Sequence, residues 1–246
     1  MIAIRPVEGL PEVEPGAPLG AMLADAARAA ADDVVVVSQK VVSKAEGRLR
    51  ELSAVDPGAR ALELGAALGK DPRLVELILG ESRRLVRAER GVLIVETHHG
   101  LVCANAGIDA SNVPGGERVA LLPEDPDRSA RTLRAEIRAA SGTAPAVVVA
   151  DSFGRPWRLG QTDVAIGCAG LAPLDDWRGR RDRTGRPLAA TAIAVADEAA
   201  AAADLARAKD AGLPAAVVSG LGPHLIAEDG PGAAALRRGE AEDLFR

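Results

Sequence analysis

Four consecutive valines, Val34 to Val37, run into Ser38. An unbroken β-branched run of this kind predicts a buried strand at 34–38. Apolar runs of strand length at 146–150, 164–167 and 215–219 predict three more. The stretches 92–97 and 101–104 flank His98-His99-Gly100, which reads as a hairpin turn. The core these strands build has to be aliphatic. Aromatic residues are only 2% of the chain and Tyr is absent, so Ala, Val, Leu and Ile must fill it.

Helical patterns lie between the strands. Residues 18–31 are Ala-rich, and 71–88 would place Leu74, Leu77, Ile78 and Leu85 on one face. A helix at 126–140 has Asp125 as its N-cap and Gly142 as its stop. Residues 193–211 form a long Ala-rich pattern closed by Gly212 and Pro214. Hairpins beside helices favour a mixed α+β fold, expected as one domain over residues 1–246 with two closely joined lobes. The segments 104–117, 151–163 and 175–187 are polar, Gly-rich and read as long loops. Loops of that length in a compact protein usually carry function.

Charge and composition exclude several function classes. The net charge of −5 argues against general nucleic-acid binding. Cys103 and Cys168 are too few and too scattered for a disulfide framework or a cysteine zinc site. Glu8, Glu12 and Glu14 in a Pro/Gly-broken stretch do not resemble a signal peptide. No apolar run approaches the roughly 20 residues needed to span a bilayer. A cytoplasmic protein with no membrane or nucleic-acid partner is expected.

Three segments hold residues suited to chemistry. Asp151 and Ser152 follow a buried strand directly, where ligand sites gather in α/β-type sheets. Their oxygens suit Mg2+ or Mn2+, and the alternative is an aspartate capping its own turn. Asn105-Ala-Gly-Ile-Asp-Ala-Ser-Asn112 is either a self-satisfied turn or a segment whose acid and amide meet a metal and a phosphate. The third is Ser38-Gln-Lys-Val-Val-Ser-Lys-Ala-Glu-Gly47. It carries Lys40 and Lys44 in a chain whose only other lysines are Lys70 and Lys209. Where arginine is the usual base, two lysines four apart suggest point charges for phosphate, or else a solvated helix face.

Other features are set aside. Gly65…Gly69-Lys70-Asp71 has the wrong spacing for a phosphate loop and lacks Ser or Thr after the lysine. His98-His99 belongs to a hairpin turn, His224 has no identifiable partner, and neither cysteine has a His/Asp pair for nucleophilic chemistry. Asp197-Glu198 sits among alanines, on a solvated face or facing a site.

In order along the chain, seven strings resemble one family, the coenzyme F420-0:L-glutamate ligases. Four are Pro6-Val-Glu-Gly-Leu-Pro-Glu-Val13, Ser38-Gln-Lys-Val-Val-Ser-Lys-Ala-Glu-Gly-Arg48, Asn105-Ala-Gly-Ile-Asp-Ala-Ser-Asn112 and Asp151-Ser-Phe-Gly-Arg155. The others are Gly160-Gln-Thr-Asp-Val-Ala-Ile-Gly167, Asp176-Trp-Arg-Gly-Arg180 and Val195-Ala-Asp-Glu198. The resemblance implies an enzyme that uses GTP to join L-glutamate to F420-0, or its dehydro precursor, through an acyl phosphate, releasing GDP and phosphate. The alternatives are a noncatalytic GTP- and metal-binding homologue, or a metal-dependent phosphotransferase acting on another small acid.

By resemblance, Asp109, Asp151 and Ser152 are ligands of Mg2+ or Mn2+, with K+ a further candidate cation. Leu10, Pro11, Glu12, Val13, Gln39, Lys40, Lys44 and Asn112 fall where the family contacts GTP. Asp109, Asp151 and Lys44 are the residues expected to carry catalysis. Arg155 and the loop from Trp177 to Arg180 are additional candidates for substrate or phosphate contacts. The stretch 206–213 departs from the family pattern, with Ala208 near an expected acid and Lys209 or Asp210 as its substitutes. A homodimer is expected. The flavin-binding reductase domain fused to some actinobacterial members is not expected here.

Overall fold

The computed structural model describes residues 1–109, 117–208 and 210–243. β1 (Ala3–Pro6), α1 (Leu19–Ala27), β2 (Val34–Ser38), α2 (Gln39–Ala45) and β3 (Leu49–Glu51) come first. α3 (Ala59–Leu68), α4 (Pro72–Gly80), β4 (Ser82–Glu89), β5 (Val92–Thr97), β6 (Val102–Ala104) and β7 (Arg118–Ala120) follow. Next are α5 (Pro126–Ser141), β8 (Ala146–Arg155), β9 (Arg158–Ala169), β10 (Asp175–Asp176) and β11 (Ala192–Ile193). α6 (Val195–Ala206) leads into β12 (Ala215–Ser219). This is a mixed α+β fold.

The main sheet has the order β1-β12-β2-β8-β9. Only β2 and β8 are parallel; the other neighbours are antiparallel. The valine run is explained by this position. Val35 and Val37 pack with α1 and α5, while Val34 and Val36 pack with the alanines of α6. All four valines are fully buried. A strand covered on both faces has no polar side to show, so it reads as a continuous apolar run. Ala196, Ala200 and Ala203 of α6 lie against the second face, where a small side chain lets the helix approach closely.

A smaller core lies apart from the sheet. It joins Ala61 and Leu64 of α3, Val75 and Ile78 of α4, Leu93 and Val95 of β5, and Ala106. β4, β5 and β6 form a three-stranded sheet there, and β3 pairs with β7. Among the described residues no helix is long and apolar enough to cross a membrane.

Three sequence expectations are corrected. The helix expected over 71–88 is α4, capped by Asp71, followed by β4. Two register shifts in β4 give it half-buried residues at Ser82, Leu85 and Ala88, a spacing of three that imitates a helix. Arg90 and Gly91, both with positive φ, make the two-residue turn to β5. The loop expected over 151–163 is the outer half of the β8–β9 hairpin. It projects past β2, so neither face there carries the apolar alternation that marks a strand. The helix expected over 193–211 spans only Val195–Ala206, and Ile193 belongs to β11.

Two contacts lock β9. Gly167 lies so close to the α5 N-terminus that a Cβ there would come within 2.1 Å of the Pro126 carbonyl oxygen. Between Gly167 and Ala165 the pairing with β8 shifts register, leaving Ile166 as the extra residue. The Ala165 N–H donates instead to the Asp197 carboxylate on α6, at 2.9 Å.

Candidate active site

β2 and β8 run in register from Val34 opposite Ala146 to Ser38 opposite Ala150, where β2 ends. Asp151 is thus the first residue of β8 beyond its parallel partner, at the carboxyl ends where such sheets bind ligands. Ser38 caps α2 by accepting from the Lys40 N–H at 3.4 Å. Lys40 therefore starts at the same end of the strand pair. Its ammonium lies 2.8 Å from Asp109 Oδ2, which brings the Asn105–Asp109 segment to that end.

The segment reaching Asp109 is conformationally unusual. Asn105, Ala106 and Gly107 are successive left-handed residues, at φ 53°, 56° and 68°. Asn and Gly accept this region readily, whereas a buried alanine is held there by its surroundings. A Cβ on Gly107 would come within 2.9 Å of Leu122. Asp109 is then fixed by paired backbone hydrogen bonds with Ala120 at 3.0 and 2.8 Å. The Asn105 Oδ1 atom is buried and has no hydrogen-bond partner.

Cys103 connects this segment with Asp151. Burial, and next the negative charge of Asp151, push its thiol up to about 12, while the Gly107 backbone N–H opposes the shift. Contacts between β6, which holds Cys103, and β8, which holds Asp151, bring the two candidate metal-binding segments near each other.

The solvated-face alternative for the lysines is corrected. Lys44 is buried in α2, with its side chain 8% exposed and its ammonium 2.5 Å from Glu12 Oε1. The first turn of α2 holds Gln39, also buried, whose Oε1 accepts from Ser43 Oγ at 2.9 Å. Leu10 and Val13 pack into the core beside α2, leaving Pro11 and Glu12 exposed between them. Asn112 and Lys209 lie outside the described residues. Ala208 and Asp210 are both exposed.

Sequence reasoning missed two polar residues behind Ser152. Ser152 Oγ donates to Asp163 Oδ1 at 2.5 Å, and Asp163 Oδ2 accepts from the Arg207 guanidinium. Asp163 and Arg207 are 4% and 6% exposed. Removing one member of such a pair strands the other charge, at a cost of about 3–5 kcal/mol. Ser152 and Asp163 are cross-strand partners in the hairpin, a pairing that cannot be seen while 151–163 is read as a loop. Arg155 bonds back to Leu159 O at 2.7 Å. In the Trp177–Arg180 loop, Arg178 pairs with Asp176 at 2.6 Å. Arg180 pairs with Asp175 at 3.0 Å and stacks 5.2 Å from the Trp177 ring centre.

A family model described as F420-0:Gamma-glutamyl ligase matches residues 9–220, which include each of these segments. The chain belongs to this family. It is 44% identical to the coenzyme F420:L-glutamate ligase of Methanopyrus kandleri, with 100% of this chain and 98% of the relative covered. The enzyme of the same name from Methanothermobacter thermautotrophicus is 41% identical, covering 100% of this chain and 99% of the relative. That of Haloarcula marismortui is 47% identical over 86% and 84% of the two chains. As a member of the F420-0:gamma-glutamyl ligase family, the chain is an enzyme of the ligase class.

The donor set of this ligase suits a hard divalent cation. Asp109, Asp151 and Ser152 offer only oxygens, and Mg2+ characteristically takes one or two carboxylates and fills its shell with water and phosphate. The buried Asn105 Oδ1, four residues before Asp109 in the chain, has no hydrogen-bond partner and is a further oxygen of the same kind. Among the described residues no three His, Cys, Asp or Glu side chains form a closed metal cage. A site completed by substrate needs none. Two clefts of about 300 and 460 Å³ lie elsewhere, against α5, and include none of these oxygens.

Proposed function

We propose that this ligase uses GTP to join L-glutamate to F420-0, or its dehydro form, through an amide bond. The observation that carries the reading is the Lys40–Asp109 pair, held at the end of β2 and β8 where Asp151 and Ser152 emerge. Fixed cations and carboxylates meet there at the mouth of a rigid sheet. A reaction that moves a phosphoryl group between two anions needs that combination.

A carboxylate does not react with an amine at neutral pH, because the two form a salt. In the proposed route the carboxylate oxygen of the acceptor attacks the GTP γ-phosphorus and GDP leaves. The resulting acyl phosphate is attacked by the α-amine of L-glutamate. Phosphate departs, the amine loses a proton and the amide remains. Lys40 and Lys44 would stabilise negative charge on the phosphates, with Pro11 and Glu12 beside them on the nucleotide side. Asp109, Asp151 and Ser152 would hold Mg2+ or Mn2+, whose charge offsets repulsion between phosphate and acceptor carboxylate. No protein nucleophile takes part, in keeping with two buried thiols pushed up to about 12.

The test is mass spectrometry after incubation with F420-0, L-glutamate, GTP and Mn2+. A product heavier by one glutamyl residue, formed only with GTP, is expected. GDP release with a phosphorylated acid and no amide would instead mark a phosphotransferase. Nucleotide binding without turnover on F420-0 or its dehydro form would mark a noncatalytic homologue.

A further inference from the structure

We infer that Asp163 is a positioning residue that sets the direction in which the Ser152 hydroxyl presents its lone pairs. The inference rests on Ser152 being a metal ligand, as proposed above, and extends it to residues that do not touch the metal.

A serine hydroxyl has one proton and two lone pairs. Its proton is committed here to Asp163 Oδ1 at 2.5 Å across the hairpin. With the proton committed there, the hydroxyl can meet a cation only through a lone pair, which is what a ligating hydroxyl requires. Asp163 is itself no ligand. It is 4% exposed, and its second oxygen is occupied by Arg207. Arg207 in turn is the C-cap of α6 and donates to Pro214 O at 3.2 Å. The chain Ser152–Asp163–Arg207 thus ties the proposed metal side of β8 to the end of α6. Carboxylates that orient ligating groups this way typically change metal affinity about 10–100-fold when altered.

Asp163→Asn discriminates this from a structural role. Arg207 has no acceptor and keeps its charge, so it would take the amide oxygen and turn the amide NH2 toward Ser152. The hydroxyl would then have to accept with one of its lone pairs. Mn2+ affinity, read by calorimetry and by the electron-spin resonance of free Mn2+, is expected to fall about tenfold or more. Asp163→Asn/Arg207→Met frees the amide to offer its oxygen again, and affinity should recover.

Ser152→Ala separates the two levels of the argument. If it weakens Mn2+ binding and Asp163→Asn adds nothing in the double variant, both are upheld. If it weakens binding while Asp163→Asn stays within twofold of wild type, the positioning role is overturned and the ligand assignment stands. If Ser152→Ala leaves binding unchanged, the ligand assignment falls and the positioning role with it. Should Asp163→Asn not fold, Asp163→Ala/Arg207→Met removes both charges together. Wild-type affinity in that variant overturns the proposal, and weakened affinity supports it.

Discussion

The Lys40 ammonium sits 2.8 Å from the Asp109 carboxylate, joining the first turn of α2 to the left-handed segment after β6. The pair connects parts of the chain that the sequence separates by the whole smaller core. It also places a positive charge against the carboxylate proposed to bind metal. Asp109→Ala and Asp151→Ala should each abolish glutamyl transfer while leaving the circular dichroism spectrum unchanged. Wild-type turnover in either variant, measured by product mass, would remove that residue from the metal site.

The two lysines should act on the nucleotide. A hydrogen bond to a charged group contributes about 1.5–3 kcal/mol, equivalent to about tenfold or more in affinity. Lys40→Met and Lys44→Met are therefore expected to raise the KM for GTP at least about tenfold, leaving the KM for L-glutamate near wild type. Steady-state kinetics with each substrate varied in turn makes the comparison. Equal rises in both constants would argue for general damage to α2.

Gly167→Ala should destabilise the fold without touching the chemistry. The new Cβ would lie 2.1 Å from the Pro126 carbonyl oxygen, and backbone must move to admit it. Overpacking of this kind costs about 1–3 kcal/mol. Chemical denaturation should show a lower midpoint, and an unchanged midpoint would mean that α5 and β9 can separate freely.

Asp197 predicts a pH dependence. Burial raises the pKa of its carboxyl, with the Ala165 N–H acting in the opposite direction. The folded chain then holds this proton more tightly than the unfolded chain, whose aspartates titrate near about 3.9. That contribution is complete below the unfolded value and is lost as pH rises through the folded one. Relative to Asp197→Asn, wild-type melting temperature should fall across that interval. A difference independent of pH would show that the side chain does not titrate separately in the two states.

Both cysteines should resist modification in the folded state. Burial is the main cause that pushes each thiol up to about 12, followed by Asp151 at Cys103 and Asp127 at Cys168. Thiolate is the reactive form, so a thiol reagent at pH 8 should label neither until the chain unfolds. Rapid labelling of the native protein would contradict the burial.

The local features of the candidate site were legible in the sequence. The four valines announced a buried strand, and Asp151 directly after another apolar run announced a carboxylate where that run surfaces. The scarcity of lysine marked Lys40 and Lys44, and Asp125 and Gly142 marked the ends of α5, which the caps at Arg128 N–H and Gly142 bear out. These features are local, fixed by side-chain period, burial and capping within a few residues.

What only the tertiary structure decided is who meets whom. β4 imitates a helix because two register shifts change its period, and register is set by the partner strand. The outer β8–β9 hairpin projects past β2 and its one buried position near Ser152 is the charged Asp163, so it shows no apolar alternation and the Ser152–Asp163 pairing stayed hidden. Arg207 fell inside the helix expected over 193–211, whereas α6 ends at Ala206 and Arg207 turns onto Asp163. Sequence pattern records whether a residue is buried, but the partner of a buried charge is chosen by chain crossings that bring distant segments together.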